Sequence, residues 1–190
     1  MSALKSSGSQ LGGQWMNRCA SAFKGWTGRA HARVVYDSDV DEFTATGLFE
    51  GVRDKENIAV VAFTTDGDVF GGFYRVAVTE QKRDFCDPTI FAFSFESHGR
   101  CATPQRFAPV VDPNQTAFVR FHQRDVDGWF FSFGVGGLGF VSCGNERSET
   151  WCDGGGMFEG LGETTLTGKT WTDGCRNVHR CVRLISVALF

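Results

Sequence analysis

The sequence predicts an α+β protein, built mainly as an antiparallel β-sandwich of two sheets with flanking helices, and three observations predict it. Two aromatic runs, VFGGFYRVAV from Val69 to Val78 and IFAFSFES from Ile90 to Ser97, stand behind the pair Asp66-Gly67. That pair favours a tight hairpin in which both central turn positions take positive φ. Glycine, at 24 of 190 residues, is about twice as common as usual and clusters around the apolar runs, where it supplies turns and close backbone approach. Helical periodicity is confined to the first quarter of the chain, which separates helices from strands and argues against a βαβ parallel sheet.

Residues 1–13 are rich in Ser and Gly and are expected to form a flexible tail, with residues 14–190 forming a single domain. From Leu11, the residues Leu11, Trp15, Cys19, Ala22, Phe23 and Trp26 follow a period close to 3.6. This predicts a helix with one buried face, interrupted at Gly25 and Gly28 and covering the sheet. Ala32 to Tyr36 reads as a short strand, and Thr44 as the cap of a second helix carrying Ala45, Leu48, Phe49 and Val52 on one face. Ile58 to Phe63, Val69 to Val78 and Ile90 to Phe95 are strand-length runs of near-continuous hydrophobicity, which predicts inner strands covered on both faces. Prolines at 88, 104, 109 and 113 bracket a loop-rich connection. Phe118 to His122, Trp129 to Phe133, Leu138 to Cys143 and Val182 to Phe190 supply further strands. Between Gly144 and Arg180 the Gly, Asp, Thr and Ser content predicts long irregular loops.

Composition bounds the function classes. Nineteen Phe against two Tyr requires a Phe-lined core, since burying one Phe contributes about 1.5 to 3 kcal/mol. The net charge of −3 is spread without a basic block, so neither a nucleic-acid partner nor an anionic bilayer is expected. The first fourteen residues lack the apolar core of a secretory signal, and no stretch approaches the roughly 18 apolar residues of a membrane span. A soluble, cytoplasmic, monomeric protein without membrane insertion is the expectation. Seven cysteines at irregular spacings read as reduced thiols rather than a disulfide framework.

Motifs that resemble chemical sites are incomplete. Gly134, Gly136 and Gly139 match a dinucleotide fingerprint, but a strand-like run follows where a helix must begin, so a hairpin explains them better. Asp37, Asp39 and Asp41 occupy alternate positions of a calcium loop whose sixth position is Glu42 instead of Gly and whose twelfth is Leu48 instead of Glu. Gly168-Lys169-Thr170 ends like a phosphate loop, yet Glu163 stands where the upstream glycine is needed. Cys143, Cys152, Cys175, His179 and Cys181 lack the paired knuckles of a zinc ribbon. The aromatic strand around Phe70, Phe73 and Tyr74 lacks the basic residue of an RNA-binding sheet. Cys101, with His98, Arg100 and Arg106 nearby in sequence, is the candidate for a reactive thiol. No catalytic residue, cofactor or metal ligand is assigned.

The run from Val34 to Phe95 resembles the TLDc domain, the module of oxidation-resistance proteins. The matching elements are Tyr36-Asp37-Ser38 and the helix after it, Asp66-Gly67-Asp68-Val69-Phe70-Gly71-Gly72-Phe73, and Phe91-Ala92-Phe93-Ser94. Phe133-Gly134 with Gly136, Gly139 and Phe140 is similar to the family's glycine-rich hairpin, Gly144 to Ser148 to the loop after it, and Val182 to Phe190 to its closing strand. Where many members carry a phrase like Ile-Glu-Val-Trp in that strand, this chain has Ile185-Ser186-Val187-Ala188, and Glu149 to Trp171 departs in length and composition. The resemblance implies a two-sheet sandwich with flanking helices and no established catalytic site. It further implies a protein-binding role in oxidative-stress protection and a link to the peripheral sector of the vacuolar proton-pumping ATPase (V-ATPase). The alternative is a thiol-based redox protein or enzyme using an exposed cysteine.

Overall fold

The computed structural model describes residues 19–97, 103–110, 117–123, 130–135, 142–143, 149–152, 157–162, 165–166 and 177–190. Helix α1 runs through residues 19–27 and α2 is Ala45–Val52. The strands are β1 (Ala32–Asp37), β2 (Ile58–Thr64), β3 (Val69–Tyr74), β4 (Phe85–Cys86), β5 (Phe91–Glu96), β6 (Gln105–Phe107), β7 (Ala117–Phe121), β8 (Phe131–Val135), β9 (Ser142–Cys143), β10 (Glu149–Cys152) and β11 (Asn177–Leu189). Six strands in the order β6-β5-β3-β2-β11-β1 form the body of the large sheet. The first residues of β11 extend it through β10 to β9, giving eight strands in all. A second sheet has the order β4-β7-β8, and every pairing in both sheets is antiparallel. The α+β sandwich is therefore what the chain forms.

Side-chain alternation explains the layers, because successive residues of a strand face opposite sides of the sheet. On β2, Ile58, Val60 and Ala62 join one core with α2 and the small sheet, through Leu48, Phe49, Val119, Phe121, Phe131 and Phe133. Ala59 and Val61 join the other, with Phe73, Phe91, Phe93 and Phe95 under Cys19 and Phe23 of α1. Phe23 meets Phe93 and Phe95 edge-on, with ring centroids 5.2 and 5.3 Å apart. Such contacts add to the free energy of burial itself. The three near-continuously apolar runs are thus covered on both faces, as their patterning predicts.

Helix boundaries follow local chemistry. Thr44 Oγ1 accepts the Gly47 amide at 3.0 Å and starts α2, satisfying one of the amides that a helix start leaves without a partner. Helix α1 runs through Gly25, contrary to the expected interruption there, and stops at Gly28, whose φ is +74° and whose amide bonds Lys24 O. A left-handed glycine ends a helix at little steric cost.

Other expectations are corrected. The β2–β3 turn is a three-residue loop in which only Gly67 has positive φ, at +87°. The amides of Thr64 and Gly67 bond Asp68 O and Thr64 O, while Asp68 N donates to Thr64 Oγ1. This is the longer hairpin with one left-handed glycine, not the two-residue turn with two such positions. Strand β3 ends at Tyr74 rather than Val78 because the buried carboxylate of Asp87 takes the amides of Arg75 and Val76. The segment expected to be irregular contains β10 and the start of β11, whose pairing supplies order that composition does not show. The short strands β4 and β6 have no period of their own and are held by their neighbours β7 and β5. Residues 1–13 lie outside the described residues.

Candidate interaction surface

The turn between β1 and α2 is built by three consecutive residues, each fastening it to a different place. Tyr36, 1% exposed, donates its hydroxyl to Glu42 O at 3.1 Å. Asp37 accepts from Arg183 Nε at 2.9 Å and from Arg183 Nη2. Ser38 pairs with Leu184 in both directions: its amide donates to Leu184 O and its Oγ accepts Leu184 N, each at 2.9 Å. Within the turn, Asp41 Oδ2 accepts the Asp37 amide and Asp37 Oδ1 accepts the Asp39 amide. Its chain path is therefore fixed from inside by carboxylate caps and from outside by β11.

Electrostatics follow from that geometry. Burial pushes the Asp37 carboxyl up, but the Arg183 hydrogen bond, the Asp39 amide and the Arg183 charge outweigh it and hold the group below its ordinary range. The hydrogen bond to Asp37 raises Arg183 against the opposing effect of burial, and the charges of Asp37 and Asp39 add to the rise. The guanidinium also lies 6.0 Å from the centroid of the Phe63 ring and 3.1 Å from Asp39 Oδ2. At the turn's apex Val40 is 84% exposed, between Asp39, Asp41 and Glu42, all of them exposed. An exposed apolar residue on a rigid backbone, ringed by carboxylates, is suited to contact with another protein. The same geometry works against the calcium-loop arrangement, since Asp37 and Asp39 face Arg183 and Asp41 caps an amide. Among the described residues no group of three or more His, Cys, Asp or Glu is placed to hold a metal ion.

The other motif residues serve the scaffold. Phe70, Gly71, Gly72, Phe73, Phe93 and Ser94 are buried in β3 and β5, and Asp66 and Gly67 form the exposed turn. A Cβ at Gly72 would stand 2.9 Å from Phe133 of the opposite sheet, and one at Gly71 would stand 2.9 Å from the Phe93 ring and closer still to Val60 O. Gly134 lies in β8 opposite Phe118. Gly139, His98, Arg100 and Cys101 lie outside the described residues. Arg106, read in sequence as a neighbour of Cys101, sits on β6 with its guanidinium 4.4 Å from the Phe91 ring centroid.

Three features carried no sequence signal. Arg183 is 146 residues from Asp37. His122 Nε2, just past β7, and Ser132 Oγ, on β8, lie 2.8 Å apart in the interior, where each satisfies the other and neither is open to a substrate. Cys86 is exposed on β4, whereas Cys19 and Cys181 are buried.

No helix among the described residues is long and apolar enough to cross a membrane. The family model described as the TLDc domain matches residues 11–157, well over half of the chain. That span includes the acidic turn and both glycine motifs but stops short of β11 and therefore of Arg183. No match is found among curated proteins.

Proposed function

Because the chain belongs to the TLDc domain family, we propose that it is a non-catalytic interaction module that binds another protein through the loops at the ends of its sandwich. Membership of this family supports a partner in the peripheral sector of the V-ATPase and a setting in protection from oxidative stress. One observation supports binding at this end: the turn holding Val40 is fastened to β11 by Asp37 and Ser38, so its apolar tip is presented on a backbone already held in place, which lowers the ordering cost.

Affinity capture from native lysate tests the reading. Wild-type protein should recover ATPase subunits, and Val40→Asp should recover far fewer while keeping its melting temperature. Failure to recover any ATPase subunit at any salt concentration rejects that partner, and recovery of no protein at all rejects the binding class.

The exposed thiol of Cys86 favours a second reading, a thiol-based redox protein, for which Cys101 is the other candidate. Stoichiometric consumption of peroxide that is lost in Cys86→Ser or Cys101→Ser would establish it in place of the interaction-only view.

A further inference from the structure

The segment entering β1 alternates arginine and histidine with small apolar residues: Arg29-Ala30-His31-Ala32-Arg33-Val34. All six are exposed, and Val34 is 40% exposed. Among the described residues, only one side of this stretch is paired. His31 and Phe190 exchange both backbone hydrogen bonds, at 2.9 and 3.0 Å, and Ala32, Arg33 and Val34 continue the ladder opposite Leu189, Ala188 and Val187. In an antiparallel pair the bonded positions alternate. His31 and Arg33 therefore point their amides and carbonyls at β11, while Ala32 and Val34 point theirs away from it. Among the described residues no strand pairs with β1 on that outer side.

The side chains add a charge pattern to the open edge. Arg33 and His31 share one face, about 7 Å apart along the strand, with the His31 ring stacked on Phe190 at 5.8 Å. Val34 and Ala32 lie on the other face. Neither Arg29 nor Arg33 makes an ion pair among the described residues. Arg183, by contrast, is held by two aspartates. Neither Arg29 nor Arg33 is committed to a carboxylate among the described residues, which leaves both available to an incoming anion.

We infer that β1 is a strand-docking edge for an extended acidic segment of the partner protein. The segment adds a strand beside Ala32 and Val34 and sets alternate carboxylates against Arg33, His31 and Arg29. Main-chain bonds give such docking its affinity, and the alternation of side chains gives it register. Acidic residues at every second position match the spacing of these side chains, and the residues between them lie over Ala32 and Val34. The inference rests on the interaction reading above and specifies the chemistry of the partner; it uses a surface separate from Val40.

The test is a binding titration of the full chain with a fluorescent peptide of alternating glutamate and valine. Three comparisons accompany it: the same peptide N-methylated at alternate amides, a single-stranded oligonucleotide, and the variants Arg33→Glu and Val34→Pro. Binding is expected to weaken by at least about tenfold for Arg33→Glu, since charge-assisted hydrogen bonds are lost. A similar loss is expected for the N-methylated peptide in one of its two registers and for Val34→Pro, which removes an outward amide that β11 does not use. If Val34→Pro misfolds, the methylated peptide on wild-type protein decides.

Binding that responds to Arg33→Glu but not to methylation would overturn strand addition, as would equal affinity for the oligonucleotide. Absence of peptide binding would overturn the inference too, leaving Arg33 as protection of the edge against aggregation. Lysate capture of a partner by Arg33→Glu at wild-type yield would reject this edge while leaving the general interaction reading intact.

Discussion

Gly72 and Phe133 meet across the two sheets, with the Phe133 ring occupying the space that a side chain on Gly72 would need. A ring carbon of Phe133 stands 2.9 Å from the Cβ position of Gly72. The glycine is thus a packing residue, and its strand lies at the centre of the large sheet. Gly72→Val should destabilise the fold by about 1 to 3 kcal/mol through overpacking. Phe133→Ala, which removes a fully buried ring, should cost about 3 to 5 kcal/mol. In the double variant the valine has room, so the combined loss in denaturant melts should be smaller than the sum, and strict additivity would contradict the contact.

Asp37 and Arg183 set a pH dependence. The folded-state carboxyl titrates below its ordinary value of 3.8, so its contribution is fully present above that value and is lost as pH falls through the lower, folded-state value. Asp37→Asn should cost about 1 to 2 kcal/mol at neutral pH, since the pair is largely shielded, with side chains 15% and 28% exposed. The gap between wild type and variant should close in urea titrations taken progressively below pH 4. A gap that stays constant into strong acid would mean that the ion pair contributes nothing.

Asp87 ends β3 with four hydrogen bonds, from the amides of Arg75, Val76 and Thr89 and from Thr89 Oγ1. It is 1% exposed, so removing the carboxylate takes away the acceptor of four partly buried donors and leaves a cavity in its place. Asp87→Ala should destabilise by about 2 to 4 kcal/mol. Amide exchange should rise at Arg75 and Val76 first, and unchanged protection there would argue against the cap.

Thr44 is a local test of helix α2. Thr44→Ala should lower stability by about 1 kcal/mol, and Thr44→Asp should restore most of it, because either oxygen can accept the Gly47 amide. Equal losses in the two variants, by thermal denaturation, would show that the hydroxyl is not acting as a cap.

Thiol accessibility separates the cysteines. Under native conditions an alkylating reagent should modify Cys86 well ahead of Cys19 and Cys181, which are 2% and 1% exposed and should react only on unfolding. Peptide mapping of a brief labelling pulse reads this directly, and early modification of Cys181 would contradict its place in the core.

Some of this was legible in the chain because the signals are local. The 3.6-residue spacing from Ala45 to Val52, the hydroxyl of Thr44 and the apolar runs of β2, β3 and β5 each act within a few residues, so pattern alone predicts the element. The strand β4 and the true length of β11 were not legible, since both exist by pairing with distant segments. The turn after β2 departs from its local signal for a related reason: the bond from the Asp68 amide to the Thr64 hydroxyl closes a longer loop than Asp66-Gly67 favours alone.

The candidate surface divides in the same way. Local pattern alone places Asp37, Asp39 and Asp41 in an acidic turn before a helix, sends most of the phenylalanines to the interior, and leaves no familiar reactive motif complete. Packing of distant segments is what sets Arg183 against Asp37, ties Ser38 to Leu184 and leaves Val40 at the tip. Backbone propensities act between neighbours in the chain, whereas ion pairs, ring contacts and free sheet edges depend on which distant segments the two packed sheets bring together.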